Sequence, residues 1–151
     1  MKKILLSVVT VALIGFAFTN KVNEETSKLQ TKVPGIEFFH GTWEEALAKS
    51  KKENKLIFMD AYASWCGPCK MMAKNTFTKE EVGDFFNKNF INVKMDMEKH
   101  KEGRRLSQKY GLRAYPTLYF INAKEEVKHV SIGYLKPKQL IEQGKLALQK
   151  K

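Results

Sequence analysis

Along this chain the apolar positions fall into runs of different period, and the period changes at recognisable punctuation. A basic start, Met1-Lys2-Lys3, leads into an apolar run from Ile4 to Phe18, shorter than the roughly 20 residues a spanning helix needs. From Asn20 to Gly35 the chain turns polar, without periodicity, and closes on Pro34-Gly35. Ile36 to Phe39 then predicts a short strand. Thr42, with Glu45 three residues on, is a capping-box signature opening a helix through Trp43, Ala46 and Leu47. Lys55 to Ala63 carries Leu56, Ile57, Phe58 and Met59 in unbroken succession, the pattern of a strand covered on both faces. A helix is expected through Met71 and Met72. A second capping signature, Thr78 with Glu81, predicts a further helical stretch bearing Val82, Phe85 and Phe86.

Phe90 to Asp96 again reads as a strand, and a charged helix around Leu106 and Tyr110 should stop at Gly111 in a left-handed cap. Thr117 to Asn122 and Val127 to Ile132, separated by a short polar turn, predict an antiparallel hairpin. Pro137 opens a last helix with Leu140, Ile141 and Leu148 on one face; Gly144 inside it costs about 1 kcal/mol against alanine. The order of strands and helices predicts an α/β fold: a central mixed sheet, mostly parallel with an antiparallel edge, flanked by helices on both faces. With 151 residues, 43% of them hydrophobic and 28% charged, one globular core is expected.

The basic start and short apolar run together read as a secretory signal over residues 1–19, cut near 17–19, with Gly15 and Ala17 as small residues before the cut. A retained membrane anchor is the alternative. Residues 20–35 read as a flexible lead, and the domain occupies 36–151. Formal charge is +11, and loss of Lys2 and Lys3 with the signal leaves 11 − 2 = +9. The lysines are spread along the chain, which favours a solvated basic surface over a binding stripe, with acidic partners or anionic lipid as the second reading. An exported chain without a recognisable nucleic-acid motif is not expected to bind nucleic acid.

Export changes the meaning of the two cysteines, because disulfides persist outside the cytoplasm. Cys66 and Cys69 lie three positions apart, and a staple that short constrains little unfolded-chain entropy, so redox chemistry explains the pair better than structural cross-linking. At the end of a buried strand and the start of a helix, the first thiol meets unsatisfied N–H groups and the positive end of the helix dipole. That setting favours the thiolate, the species that attacks disulfides. Cys69, one turn inward, should be the less exposed thiol. Pro68 fits the first helical turn, where its missing N–H breaks no intrahelical bond. A metal site is not expected: there is no second cysteine pair, and His40, His100 and His129 are scattered. A structural disulfide and an inactive relic remain the other readings.

The stretch Phe58-Met59-Asp60-Ala61-Tyr62-Ala63-Ser64-Trp65-Cys66-Gly67-Pro68-Cys69-Lys70 resembles the active site of the thioredoxin family, and the likeness runs over roughly residues 36 to 150. The resemblance implies a thioredoxin fold, with Cys66 as nucleophile and Cys69 as resolving thiol. It also implies that Asp60 handles the resolving thiol's proton, with Lys94 beside it. Tyr115-Pro116-Thr117 matches the family's cis-proline segment, which presents backbone to the substrate, and Gly133 matches a glycine beside the substrate groove. Trp65, Gly67 and Pro68 would complete the substrate-facing surface. Taken singly, Asp60 could be an ordinary strand-end acid, Lys94 a surface lysine, Trp65 a core residue, and Met71 and Met72 plain helix packing. One departure stands out: Lys74 occupies the place of the proline that kinks the family's second helix.

Together with Asn75-Thr76-Phe77-Thr78 and the exported start, this departure is similar to the thioredoxin-like domains of bacterial envelope thiol reductases. The resemblance then implies a monomeric periplasmic or extracellular enzyme that reduces protein disulfides. It would draw electrons from a membrane thiol reductase and need no cofactor beyond its own Cys66/Cys69 pair. Two other functions compete: a disulfide oxidase or isomerase, since the fold serves either direction, and a non-catalytic binding or chaperone module around Tyr115.

Overall fold

The computed structural model describes residues 34–151. The expected signal, its cut and the lead up to residue 33 lie outside the described residues. Within them the elements are α1 (Trp43–Glu53), β1 (Leu56–Tyr62), α2 (Gly67–Asn75), α3 (Glu80–Asn89), β2 (Phe90–Asp96), α4 (Gly103–Tyr110), β3 (Thr117–Ile121), β4 (Val127–Ile132) and α5 (Pro137–Leu148). None of these helices is long and apolar enough to cross a membrane.

The four strands form one sheet in the order β2-β1-β3-β4. β1 pairs with β2 in parallel and with β3 antiparallel, and β3 pairs with β4 antiparallel. The sheet is therefore mixed, as expected, but with one parallel pairing where the sequence predicts a mostly parallel centre. The unbroken apolar run of β1 records burial on both faces and carries no information on the direction of its neighbours.

Because side chains alternate along a strand, β1 feeds two cores. Ile57, Met59 and Ala61 pack with Trp43 of α1, Leu106 of α4 and Val93 and Met95 of β2. On the opposite face Leu56 and Phe58 pack with Met72, Val82, Phe86, Phe90, Phe120 and Leu140. Phe58, Phe86, Phe90 and Phe120 meet there at centroid distances of 4.6 to 6.3 Å, mostly edge-on or tilted. Gly144 of α5 belongs to this packing: a Cβ at that position would come within 2.6 Å of Phe85 Cε1. The helix tolerates a poor helix former because a close ring leaves no room for a better one.

Two local expectations are corrected. Residues 36–39 form no strand. Their backbone is held by Ile36 N–H donating to Phe77 O (2.7 Å), Glu37 N–H to Asn87 Oδ1 (2.9 Å) and Phe39 N–H to Asn92 O (2.7 Å). A side-chain amide thus stands in for part of a ladder. Gly35, placed by the sequence in the lead, is buried, and its carbonyl accepts from Asn87 Nδ2 (3.0 Å).

Thr78 does not cap α3. Its hydroxyl donates to Lys74 O (2.7 Å) at the end of α2, and α3 begins after Lys79 without a side-chain cap. The capping box of Thr42 and Glu45 does form, with Thr42 N–H to Glu45 Oε2 at 2.7 Å and Glu45 N–H to Thr42 Oγ1 at 3.2 Å. Gly111 ends α4 at φ +63°.

Candidate active site

β1 delivers the chain to the site and α2 begins it. Cys66 is the N-cap of α2, and its Sγ accepts from the Cys69 N–H at 3.2 Å; Pro68 sits in the first turn. An N-cap sulfur facing free helix N–H groups is held where negative charge is favoured. Cys66 and Cys69 are joined as a disulfide. The expected contrast in their exposure is not seen: Cys66 is 3% and Cys69 2% exposed. Ala63, Tyr62 and Tyr115 pack around both sulfurs, so the surface of the site is presented by their neighbours.

Trp65 is 66% exposed, yet it is held in place. Its indole N–H donates to Glu98 Oε2 (2.8 Å), and its ring meets Tyr115 edge-on at 5.8 Å. Gly67 and Pro68 are exposed beside it. The Tyr115–Pro116 peptide bond is cis, as the resemblance implied. The antiparallel register of β1 with β3 sets Thr117 opposite Ala61, where the Thr117 hydroxyl donates to Ala114 O (2.8 Å). Gly133, at φ +93°, donates its N–H to Pro116 O (2.8 Å). The segments that the sequence singled out separately, 65–69, 115–117 and 133, therefore meet at one end of the sheet.

The parallel register of β1 with β2 makes Asp60 and Lys94 direct neighbours. Lys94 Nζ lies 2.8 Å from Asp60 Oδ2, with Asp60 1% and Lys94 26% exposed. Asp60 Oδ1 has no hydrogen-bond partner among the described residues. Burial pushes the Asp60 carboxyl above the usual carboxylate range, and Lys94 pulls back only part of that shift. A small cavity of about 100 Å³, lined by Tyr62, Ala63, Ser64, Cys69, Lys70, Ala73 and Lys94, brings the lysine of this pair and the second cysteine onto one surface. α2 runs without interruption through Lys74, where the family's proline would stand.

Glu98 escaped the sequence reading, because its place beside Trp65 depends on the turn after β2 and no local pattern announces it. Burial, then Glu98 and Asp96, push the Tyr115 hydroxyl above its ordinary value. Of the three histidines, His129 shares a hydrogen bond with Gln143 (2.7 Å), His100 accepts from Glu102 N–H (3.1 Å), and His40 is exposed. No cluster of three or more metal-ligating side chains occurs among the described residues.

A mixed sheet flanked by helices, with a paired-cysteine helix start at the same end as a cis-proline, defines a protein of the thioredoxin class. More narrowly, residues 19–139 match the family model described as Thioredox_DsbH, protein of unknown function DUF255, and the chain belongs to that family. It is similar to a Bacteroides thetaiotaomicron protein provisionally described as a disulphide-isomerase, with 41% identity and a TM-score of 0.69 over 80% of this chain and 98% of that one. The C-terminal domain of Neisseria meningitidis DsbD in its oxidised form is 25% identical, with a TM-score of 0.59 over 76% of this chain and all of that one. Arabidopsis thaliana thioredoxin H4 is 38% identical over 87 residues, 56% of this chain and 66% of its own length. Rat (Rattus norvegicus) spermatogenesis-associated protein 20 is 42% identical over 59 residues, 39% of this chain and 8% of that protein.

Proposed function

We propose that the chain is exported and works in the cell envelope as a protein-disulfide reductase, drawing electrons from a membrane thiol reductase and acting as a monomer. Cys66 attacks the client disulfide and Cys69 resolves the mixed disulfide, while Asp60, with Lys94, takes the Cys69 proton. Trp65, Gly67, Pro68, Tyr115, Pro116, Thr117 and Gly133 receive the client. The observation that carries the reducing direction is the local surrounding of Cys66. Its Sγ has the helix start and the Cys69 N–H, and Gly67-Pro68 between the thiols adds no charge and no side-chain hydrogen bond. Strong oxidants of this class stabilise their reduced form through a very acidic thiol, and neither Gly67 nor Pro68 supplies that extra stabilisation. The likeness to the DsbD domain, and the basic, apolar start of the chain, support the envelope setting.

Equilibration with glutathione buffers tests the direction. A potential near the thioredoxin value, roughly −270 mV, is expected; one near the isomerase value, roughly −180 mV, overturns reductase duty. The second reading, isomerase, is favoured by the likeness to the Bacteroides protein. Trapping on a Cys69→Ser variant separates the two: a reductase collects oxidised clients, and an isomerase collects clients whose disulfides are mispaired. A non-catalytic groove would be left as the remaining reading if insulin reduction were absent with dithiothreitol supplied.

A further inference from the structure

Lys94 carries more than its bond to Asp60. Its ammonium lies 4.5 Å from the centroid of the Tyr62 ring, 5.2 Å from Phe77 and 5.7 Å from Phe38. All three distances are within the roughly 6 Å at which an aromatic face attracts a cation. The rings come from three separate segments: the end of β1, the turn after α2, and the irregular stretch before α1. That stretch is fixed by Ile36 N–H donating to Phe77 O (2.7 Å), and the Phe38 and Phe77 rings meet edge-on at 5.5 Å. A flexible lysine stem is thereby given one place to put its charge, against a carboxylate that has no other donor among the described residues.

That place adjoins Cys69. The ammonium and the second cysteine line the same cavity of about 100 Å³, several times the space one water needs. The charged or titratable groups around it are Asp60 and Tyr62 of β1, Asp96 of β2, and Cys69 and Lys70 of α2. We propose that Tyr62, with Phe77 and Phe38, forms an aromatic cage whose task is to position the Lys94 ammonium on Asp60, and so to set the pH at which Cys69 can release its proton.

The inference rests on the proposed roles of Cys66 and Cys69. In the resolving step the Cys69 thiol gives its proton to the Asp60 carboxylate, directly or through an intervening water. The thiolate then forms the S–S bond to Cys66 Sγ as the bond from Cys66 to the client sulfur breaks. The client sulfur leaves with the electron pair and is protonated, completing a two-electron reduction of the client at the expense of the dithiol. Without the cage the lysine swings toward solvent, Asp60 loses its counter-charge, and a smaller fraction of it is ionised near neutrality.

The test uses the reduced full chain and an aromatic disulfide that releases a coloured thiolate, followed by stopped flow. The first release reports attack by Cys66 and the second reports resolution by Cys69. Tyr62→Leu is expected to move the midpoint of the second phase upward by about half a pH unit and slow it about threefold near neutrality, leaving the first phase unchanged. Tyr62→Phe, which keeps the ring, should restore the wild-type profile. Phe38→Leu should give a smaller shift in the same direction and guards against misfolding at position 62. In a Lys94→Ala background, Tyr62→Leu should add nothing. An unshifted Tyr62→Leu profile, an equal shift in Tyr62→Phe, or a full effect without Lys94 each overturns the cage. Absence of two phases in the wild type overturns the proposed thiol roles instead.

Discussion

Two buried or half-buried carboxylates in this molecule are treated in opposite ways. Glu125, at φ +60° in the turn between β3 and β4, receives Trp43 Nε1 (2.6 Å), Arg105 Nη2 (3.1 Å) and Lys109 Nζ. Burial alone would raise its carboxyl, but the hydrogen bonds from Lys109, Trp43 and Arg105 outweigh it and bring the group down to about 2. Among the described residues Asp60 has a single donor and one orphaned oxygen, and its carboxyl is shifted upward. A saturated acid fastens a turn to two helices. An acid left short of donors keeps an appetite for a proton, the property that the acceptor proposed for the Cys69 proton requires.

The sharpest break of this contrast lies in the thiols themselves. Cys69→Ser should abolish turnover while mixed disulfides on Cys66 accumulate, seen as a mass increase on non-reducing analysis. If turnover survives, Asp60 has no proton to accept. Asp60→Asn comes next, and should slow the resolving phase about a hundredfold while leaving attack by Cys66 nearly unchanged. Equal slowing of both phases would remove Asp60 from the step.

Glu125→Gln should do the converse, costing about 1–2 kcal/mol in urea denaturation at neutral pH with no change in either phase. The figure is kept small because Arg105 and Lys109 are 46% and 39% exposed and their attraction is screened.

The smallest effect is a pair of opposed pH slopes. Glu125 titrates lower in the folded protein than unfolded. Its contribution is complete above the ordinary value of 4.5 and is lost as pH falls toward about 2. Asp60 titrates higher when folded than unfolded. Its favourable contribution is complete below its ordinary value of 3.8 and is lost as pH rises through the raised one. The stability gained by Asp60→Asn should therefore grow as the medium becomes less acidic, whereas the loss in Glu125→Gln should shrink on acidification. Parallel slopes for the two variants in urea titrations would dissolve the contrast.

The sequence is legible where chemistry is local. Trp65-Cys66-Gly67-Pro68-Cys69 announces a helix start bearing paired thiols, and Asp60 sits six residues earlier on the strand that feeds it. Thr42 and Glu45 predicted their own reciprocal bonds because both partners lie within four residues. Thr78 and Glu81 show the same spacing, but Lys74 O competes for the Thr78 hydroxyl and wins. The strand expected at 36–39 fails because Asn87 and Asn92, some fifty residues away, hold that backbone with side chains. Glu98 on Trp65 and Glu125 on Trp43 are contacts across 33 and 82 residues, which no window of sequence contains.

The chain's two tryptophans turn the placement of the site into an optical property. Trp43 is 1% exposed and enclosed in the core, so its emission should lie to the blue and change only when the domain unfolds. Trp65 is 66% exposed and adjacent in sequence to Cys66, so its emission should lie to the red and be quenched while the neighbouring sulfurs are bonded. One fluorophore follows folding and the other follows electrons, which lets a single cuvette record the redox state and the integrity of the protein at separate wavelengths.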